Sequence, residues 1–220
     1  MKKILKNILI FISYFIYNLM FKDILSLFNI NYYSFNTNQR IIYTIVSSFI
    51  YILILIFAYR KELKEEIIDF KNNFKKYLPK NIAIYLIGVL LMGLINLLLI
   101  KITGQEASGN ESLIREYIDN YPIYMAFSTI IFAPLTEEFI FRKSLKNVLK
   151  YKYLFIIISG LIFGMMHIQN FTDPIEYLYS IPYIIMGIDF AYIYFKTNNI
   201  FTTMTIHISH NLILYLIQLL

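Results

Sequence analysis

Residues 136–142 read Thr-Glu-Glu-Phe-Ile-Phe-Arg and lie in a hydrophobic run that begins at Pro122. An ionisable side chain inside a membrane helix costs about 3 kcal/mol or more unless it is paired or hydrated, so it is a functional candidate. On a helix Glu138 and Arg142 are four residues apart and share a face, which predicts an ion pair. Glu137 points about 100° away from Glu138 and is left available. This stretch alone leaves one alternative open, a charge cluster at a helix end on the membrane surface.

The composition favours a membrane protein. Hydrophobic residues make up 58% of the chain and charged residues 15%, and the mean hydropathy is +0.59. A soluble domain is less apolar, with about a quarter of its residues charged. The net charge of +6 comes from Lys and Arg grouped between apolar runs, which indicates loop placement and no nucleic-acid partner. The chain has no cysteine, which excludes disulfides, thiolate catalysis and cysteine-based zinc sites.

The apolar runs predict an all-α, polytopic membrane helix bundle with about seven transmembrane helices. The expected spans are residues 8–21, 41–59, 81–100, 122–150, 153–168, 175–195 and 200–219. Segment 60–80 has apolar residues at helical spacing, which predicts an interfacial amphipathic helix, with a solvated charged loop as the alternative. Segments 22–40 and 104–120 are polar and predict loops. Pro182 and Gly187 are expected to break the sixth span.

One integral membrane domain is expected overall, with N-terminal membrane helices in 1–100 and a motif-bearing core in 120–218. Its orientation follows from the basic residues, which concentrate at the N-terminus, in 60–80, in 142–152 and at Lys196. These are alternate connections of a seven-helix chain. The positive-inside rule therefore predicts a multi-pass protein of the cell membrane with a cytoplasmic N-terminus and an external C-terminus.

All three histidines lie on two later hydrophobic segments. Residues 163–167 read Phe-Gly-Met-Met-His, and residues 207–211 read His-Ile-Ser-His-Asn. With residues 137–142 they give the ordered patterns E-E-x-x-x-R, F-x-x-x-H and H-x-x-x-N. This set resembles the CPBP family of intramembrane proteases, which includes type II CAAX prenyl endopeptidases and bacteriocin self-immunity proteins. The resemblance covers roughly residues 120–218 and implies an endopeptidase acting on a membrane-associated protein or peptide.

The candidate catalytic residues are Glu137, His167, His207 and Asn211, supported by Glu138 and Arg142. Peptide hydrolysis needs an activated water, a stabilised oxyanion and a proton for the leaving amine. Glu137 is the candidate general base, and His167 would orient the water. His207 and Asn211 would donate to the oxyanion, while the Glu138–Arg142 pair would fix the helix and the field around the base. The resemblance implies the same roles at these positions.

Zinc is the chemical alternative to a site without a cofactor. Two histidines and a carboxylate can hold zinc with an open position, and the ligands would be His167, His207 and Glu137. The H-E-x-x-H signature of zinc proteases is absent from the sequence. This favours a water activated by glutamate, without a metal.

Two other classes of function remain open. A non-catalytic membrane scaffold or immunity protein would keep the fold without the reaction. A small transporter would use Glu137 and Asp189 as proton or cation sites, but no inverted repeat is visible. The roles of Asp189 and His210 are left unassigned.

A shared site requires the motifs to lie at similar depth. If the fourth helix continues to about Lys150, Glu137 lies about 18–20 Å from its end, which matches the depths of His167 and Asn211. We then expect one water-filled cavity that opens at the basic end, with residues 142–152 around its mouth. The pair Gly160 and Gly164 predicts close packing of the fifth helix against another.

Overall fold

The computed structural model describes residues 2–220, which form helices and no strand. The helices are α1 Lys2–Met20, α2 Thr37–Thr103, α3 Gly109–Asn120, α4 Pro122–Val148, α5 Lys152–Met165, α6 Pro174–Thr197 and α7 Ile200–Gln218. Two short 3-10 helices, Asp23–Phe28 and Tyr32–Ser34, connect α1 to α2. Within the described residues, five helices are long and apolar enough to cross a membrane, and α5 is a shorter apolar helix of 14 residues. The chain is the expected polytopic helix bundle.

Helix α2 departs from the expected boundaries. The second span, the charged segment 60–80 and the third span form a single helix of 67 residues. A capping box between Asn36 and Gln39 begins it, and Gly104, with a φ of 73°, ends it. The segment 60–80 is helical, as its apolar spacing predicts, but no loop separates it from either neighbour. It is rich in Lys and Glu, which are good helix formers, and the helix continues through Pro79.

The basic segments meet at one end of the bundle, which we call the basic end. Asn147, near the end of α4, donates a hydrogen bond of 3.3 Å to Oδ1 of Asn7 at the start of α1. Lys146 donates to Oδ1 of Asn198, just after α6, over 2.8 Å. The connections between α1 and α2, between α2 and α3, and between α5 and α6 lie at the other end, which we call the opposite end. Successive connections between the spans therefore alternate between the basic end and the opposite end, as the sequence predicted.

Helix α2 passes along the bundle twice. Its first part lies against α1, where the Tyr59 hydroxyl donates to Oδ1 of Asn7 over 2.7 Å at the basic end. Its last part lies against α6, where Thr103 and Tyr179 are hydrogen bonded over 3.2 Å at the opposite end. The helix therefore runs toward the basic end and then away from it, and it bends in between. Pro79 lies within this bent region, where it removes one backbone hydrogen bond.

Residues 104–120 contain a helix where a loop was expected. Helix α3 begins after Ser108, whose hydroxyl accepts a hydrogen bond of 3.1 Å from the Glu111 N–H. The spacing Ser-x-x-Glu is a helix-start signal that the sequence contained. The expectation of a loop was wrong because the segment's polarity reflects a short helix at the opposite end, not an absence of structure.

Helix α4 runs to Val148, close to the length that a shared site requires. It contains two π-helical stretches, Ala126–Phe132 and Glu138–Ser144. The Ala133 N–H bonds to the Ser128 carbonyl, five residues back, and Pro134 has no N–H to donate. Such stretches occur frequently at functional sites. Here they lie on either side of Glu137.

Helices α5 and α6 pack against each other through glycine. A Cβ atom on Gly164 would lie 2.8 Å from the backbone nitrogen of Ile184, and Gly160 meets the α6 backbone in the same way. This confirms the close packing predicted from the two glycines. Helix α6 itself is continuous through Pro182 and Gly187, so the expected break is absent. Proline is tolerated in a membrane helix when neighbouring helices satisfy the freed backbone groups.

Candidate active site

One cavity of about 560 Å³ lies among α2, α4, α6 and α7. All four candidate catalytic residues line it, namely Glu137, His167, His207 and Asn211. Glu137 comes from α4, His167 follows the end of α5, and the other two lie on α7. The predicted convergence of the three motifs is therefore present in the fold.

His207 is held by the second glutamate of the motif. Its Nδ1 donates to Oε1 of Glu138 over 3.0 Å. Its Nε2 then faces Oε2 of Glu137 at 3.7 Å. The imidazole is stacked on Phe190, with 4.5 Å between ring centroids. One face and both nitrogens of the ring thus have defined neighbours, and the contact with Glu138 was not foreseen from the sequence.

Arg142 lies on the other side of Glu138. Its Nε is 3.5 Å from Oε2 of Glu138, and both side chains are fully buried. One guanidinium N–H group donates to Oγ of Ser159 over 2.7 Å, and that hydroxyl donates to the Phe141 carbonyl over 2.7 Å. The predicted ion pair is therefore present, and it extends into a chain that ends at His207. Ser159 was missed because no local spacing links it to α4.

His167 is oriented by the backbone and by an aromatic ring. Its Nδ1 donates to the Phe163 carbonyl over 2.7 Å, which leaves Nε2 as a hydrogen-bond acceptor. The imidazole stacks on Tyr183, with 4.1 Å between centroids and 16° between planes. Nδ2 of Asn110, in α3, donates to the Tyr183 hydroxyl over 3.3 Å. The position of His167 thus depends on α6 and α3, neither of which carries one of the three motifs.

Asn211 ties α7 to the π-helical part of α4. Its Nδ2 donates to the Thr129 carbonyl over 2.8 Å. In a π-helix that carbonyl would accept from the residue five positions later, which is Pro134 and has no N–H. The amide of Asn211 takes its place. It uses one of its two N–H groups for this bond and retains the other.

Two further polar residues line the cavity, and Asp189, the remaining unassigned acid, lies outside its lining. His210, which the sequence left unassigned, also lines the cavity, and its Nδ1 is hydrogen bonded to the Tyr85 hydroxyl over 3.0 Å. Tyr14 of α1 lines the cavity too, although α1 carries no motif that could have indicated it. Asp189 lies against Gly88 of α2, and a Cβ atom there would be 2.5 Å from its Oδ2. That oxygen is buried and has no hydrogen-bond partner within residues 2–220.

The His, Asp and Glu side chains of the cavity are not arranged as a preformed metal site. Among residues 2–220, no group of three His, Asp or Glu side chains is placed to hold a metal ion. Nδ1 of His167 and Nδ1 of His207 are both engaged by protein oxygens, which leaves Nε2 of each ring as the nitrogen that could bind a metal. As placed, the alternative ligand set of His167, His207 and Glu137 lines one cavity but is not grouped closely enough to ligate one metal ion.

The cavity opens at the opposite end of the bundle. Its outer part is lined by Glu106, Asn110, Arg115 and Gln218, of which Glu106 and Arg115 are exposed. None of its lining residues in the described chain falls within 142–152. The expectation that this basic segment surrounds the mouth was wrong.

The basic end is closed by buried polar contacts. Lys143, only 2% exposed, forms an ion pair with Glu66. The amide of Asn199, which is fully buried, donates to the Glu66 carbonyl over 2.7 Å and to Oδ2 of Asp69 over 2.8 Å. These contacts join α2, α4 and the start of α7. They explain why basic residues near the motif seal the bundle and do not form an entrance.

The motif-bearing part of the chain matches a known family. Residues 119–213 match the family model described as type II CAAX prenyl endopeptidase Rce1-like. This region is similar to that family, and we refer to it as the Rce1-like region. The Rce1-like region contains Glu137, His167, His207 and Asn211, which confirms the resemblance inferred from the motifs.

Relatives extend the likeness beyond the Rce1-like region. An uncharacterized protein of Mycoplasma capricolum subsp. capricolum is 32% identical over 184 residues, which cover 77% of this chain and 53% of that protein. A Bacillus subtilis protein named "Putative membrane peptidase YdiL" is 29% identical over 119 residues, covering 53% of this chain and 45% of that protein. The chain thus spans about half the length of the curated relatives it matches. No solved structure matches the chain significantly.

Proposed function

We propose that this protein is an intramembrane endopeptidase that hydrolyses a peptide bond of a membrane-associated protein or peptide. The observation that carries the proposal is that two adjacent acids, Glu137 and Glu138, lie in different environments. Glu138 is fully buried and engaged by Arg142 and His207, whereas Glu137 faces the cavity with its carboxylate 3.7 Å from Nε2 of His207. The Rce1-like match supports the same class of reaction.

The geometry supports a glutamate-activated water as the nucleophile. A water between Glu137 and the two imidazoles gives one proton to the Glu137 carboxylate while its oxygen attacks the substrate carbonyl carbon. The oxyanion that forms accepts hydrogen bonds from the remaining Asn211 N–H and, with His207 as an imidazolium between the Glu137 and Glu138 carboxylates, from its Nε2–H. Glu137 then passes its proton to the leaving nitrogen as the C–N bond breaks. The water is divided between a carboxylic acid and an amine, and Glu137 is restored.

Residues around the general base Glu137 position the other groups of the reaction. Glu138 orients His207 through Nδ1, and Arg142 balances the charge of Glu138 inside the bundle. His167 presents Nε2 as an acceptor, which suits it to hold the second hydrogen of the water. In this proposal the reaction needs no metal. Activity that survives a strong chelator would support that part of the proposal, and loss of activity restored by Zn²⁺ would overturn it.

The proposed setting is the cell membrane, with the N-terminus in the cytoplasm. Lys and Arg gather at one end of the bundle, and the positive-inside rule assigns that end to the cytoplasm. Reporter fusions after Lys76 should then be active as cytoplasmic reporters, and fusions after Ser108 as external reporters. The reverse pattern would invert the orientation.

The experiment that tests the function compares membrane peptides by mass spectrometry. Cells carry either the wild-type chain or Glu137→Gln, at matched levels of folded protein. We expect a set of peptides with shared cleavage points that is present with the wild type and absent with the variant. Asp189→Asn, outside the proposed reaction, serves as the matched control and should keep the cleavage products. Identical peptide sets in wild type and Glu137→Gln would contradict an endopeptidase.

A further inference from the structure

We infer that the cavity takes its substrate from the external face of the membrane, as an extended, apolar peptide segment. This inference rests on the proposed function. It adds the side of entry and the class of substrate, which neither the motifs nor the relatives specify. Three independent features of the fold carry it: the location of the mouth, the seal at the basic end, and the lining of the cavity.

The mouth and the catalytic groups are separated along the bundle axis. His207 lies seven residues into α7, or about 11 Å from the basic end, and Glu137 lies about 17 Å from the basic end of α4. By the same measure Asn211 lies about 17 Å and His167 about 22 Å from the basic end, so the site is near the middle of the bundle. The cavity extends from there to exposed Glu106 and Arg115 at the opposite end. The path from the site to water therefore runs to the opposite end.

The path from the site toward the basic end is blocked by side chains with almost no exposure. Arg142, Ser144, Asn199 and Thr203 are each 0% exposed, and they lie between His207 and the basic end. Opening a route there would separate the buried Arg142 guanidinium from Glu138, which is strongly unfavourable. A substrate from the opposite end meets no such barrier. With the basic end in the cytoplasm, the opposite end is external.

The charges at the mouth are balanced locally. Nε of Arg115 lies 3.0 Å from Oε1 of Glu111, one helical turn before it in α3. Glu106 adds a further acid nearby. The mouth therefore has no unpaired cation, within the described residues, to attract a substrate carboxylate. It differs in this from the basic mouth that the sequence predicted.

The inner lining suits apolar side chains of varied shape. Four methionines line the cavity: Met92, Met125, Met166 and Met186. Methionine is flexible and adapts to different apolar partners. Amide groups of Asn96, Asn110 and Gln218 lie along the same cavity and can bond a peptide backbone. A volume of about 560 Å³ is that of a ligand pocket, so it holds a short extended segment and not a folded domain.

The test measures access to the cavity directly. The chain has no cysteine, so each single-cysteine variant has one reactive thiol. Ala107→Cys lies at the mouth, Ser128→Cys deeper in the cavity, and Lys64→Cys on the exposed surface of the basic end. Intact cells are treated with a small, charged, membrane-impermeant methanethiosulfonate, and modification is counted by mass spectrometry. Inside-out membrane vesicles give the complementary measurement.

We expect Ala107→Cys and Ser128→Cys to react in intact cells, at least tenfold faster than in sealed inside-out vesicles. Lys64→Cys should show the reverse ratio. Reaction of Ser128→Cys only from the side that modifies Lys64→Cys would overturn the inference. So would modification of Ala107→Cys only in inside-out vesicles, because the mouth would then be cytoplasmic.

The labelling does not depend on hydrolysis, so a failure of access is distinguishable from a failure of the proposed reaction. The same three variants in a Glu137→Gln background should be modified at unchanged rates. The substrate class is tested separately, by the positions of the cleavage points found among the membrane peptides. Cleavage points that fall in external, apolar segments support it, and cleavage points confined to cytoplasmic segments contradict it.

Discussion

Replacing Glu138 by Gln should destabilise the protein strongly, whereas replacing Glu137 by Gln should not. Glu138 and Arg142 are both 0% exposed and their charged groups are 3.5 Å apart. Removing one partner of a buried pair costs about 3–5 kcal/mol, because the other charge stays buried without compensation. The ratio of folded to unfolded protein then falls roughly 140- to 4,000-fold, at a factor of ten for each 1.4 kcal/mol. Glu137 is part-exposed to the cavity, so the same change there should cost about 1 kcal/mol or less.

The assay is thermal unfolding of detergent-solubilised protein, with the folded fraction followed by size-exclusion chromatography. For a chain of this size, Glu138→Gln should lower the Tm by about 6–20 °C, and Glu137→Gln by less than about 4 °C. Activity should vanish in Glu137→Gln even though that variant is folded.

A double variant separates the effect of an unpaired charge on stability from the effect of altered packing. Glu138→Gln combined with Arg142→Met removes both charges of the pair, so it should unfold at a higher temperature than Glu138→Gln alone. Two results would refute the reasoning. One is an equal loss of stability in Glu137→Gln and Glu138→Gln. The other is a double variant whose loss is the sum of the two single losses.

Three further variants test other contacts. Gly164→Ala forces a Cβ atom against the α6 backbone and should cost about 1–3 kcal/mol in thermal unfolding; an unchanged Tm would mean that α5 and α6 are not so closely packed. Ser159→Ala removes the acceptor of the Arg142 guanidinium and should cost about 1–3 kcal/mol, with Ser209→Ala on the exposed face of α7 as the neutral control. Asn211→Ala should lower both Tm and activity, because it removes an oxyanion donor and frees the Thr129 carbonyl; full activity in this variant would exclude the first role.

The motif residues could be placed from sequence because local spacing determines their geometry. Glu138 and Arg142 are one helical turn apart, so their pairing follows from the helix itself. The alternation of basic and non-basic connections likewise predicted which segments meet, and Lys146 does contact Asn198 at the basic end. The length of α4 followed from the demand that Glu137 reach the depth of the two histidine segments.

Other features depend on contacts between distant segments. The seal at the basic end joins Glu66, Lys143 and Asn199, which lie on three helices, and no local pattern links them. Because the sequence does not reveal that seal, the basic residues beside the motif suggested an entrance to the cavity. The hydrogen bond between Glu138 and His207 was missed for the same reason, since it joins α4 to α7. The continuity of α2 could not be predicted because a charged segment between two spans is compatible with either a loop or a helix.

The most direct test of the account is hydrolysis by the purified protein in lipid nanodiscs, in water enriched in ¹⁸O. A library of apolar peptides is incubated with wild type, Glu137→Gln and Asp189→Asn, each with and without a strong chelator. We predict new peptide C-termini that carry ¹⁸O with the wild type and with Asp189→Asn, no such products with Glu137→Gln, and no effect of the chelator. Labelled products formed by Glu137→Gln at the wild-type rate would contradict the central claim that Glu137 activates the water.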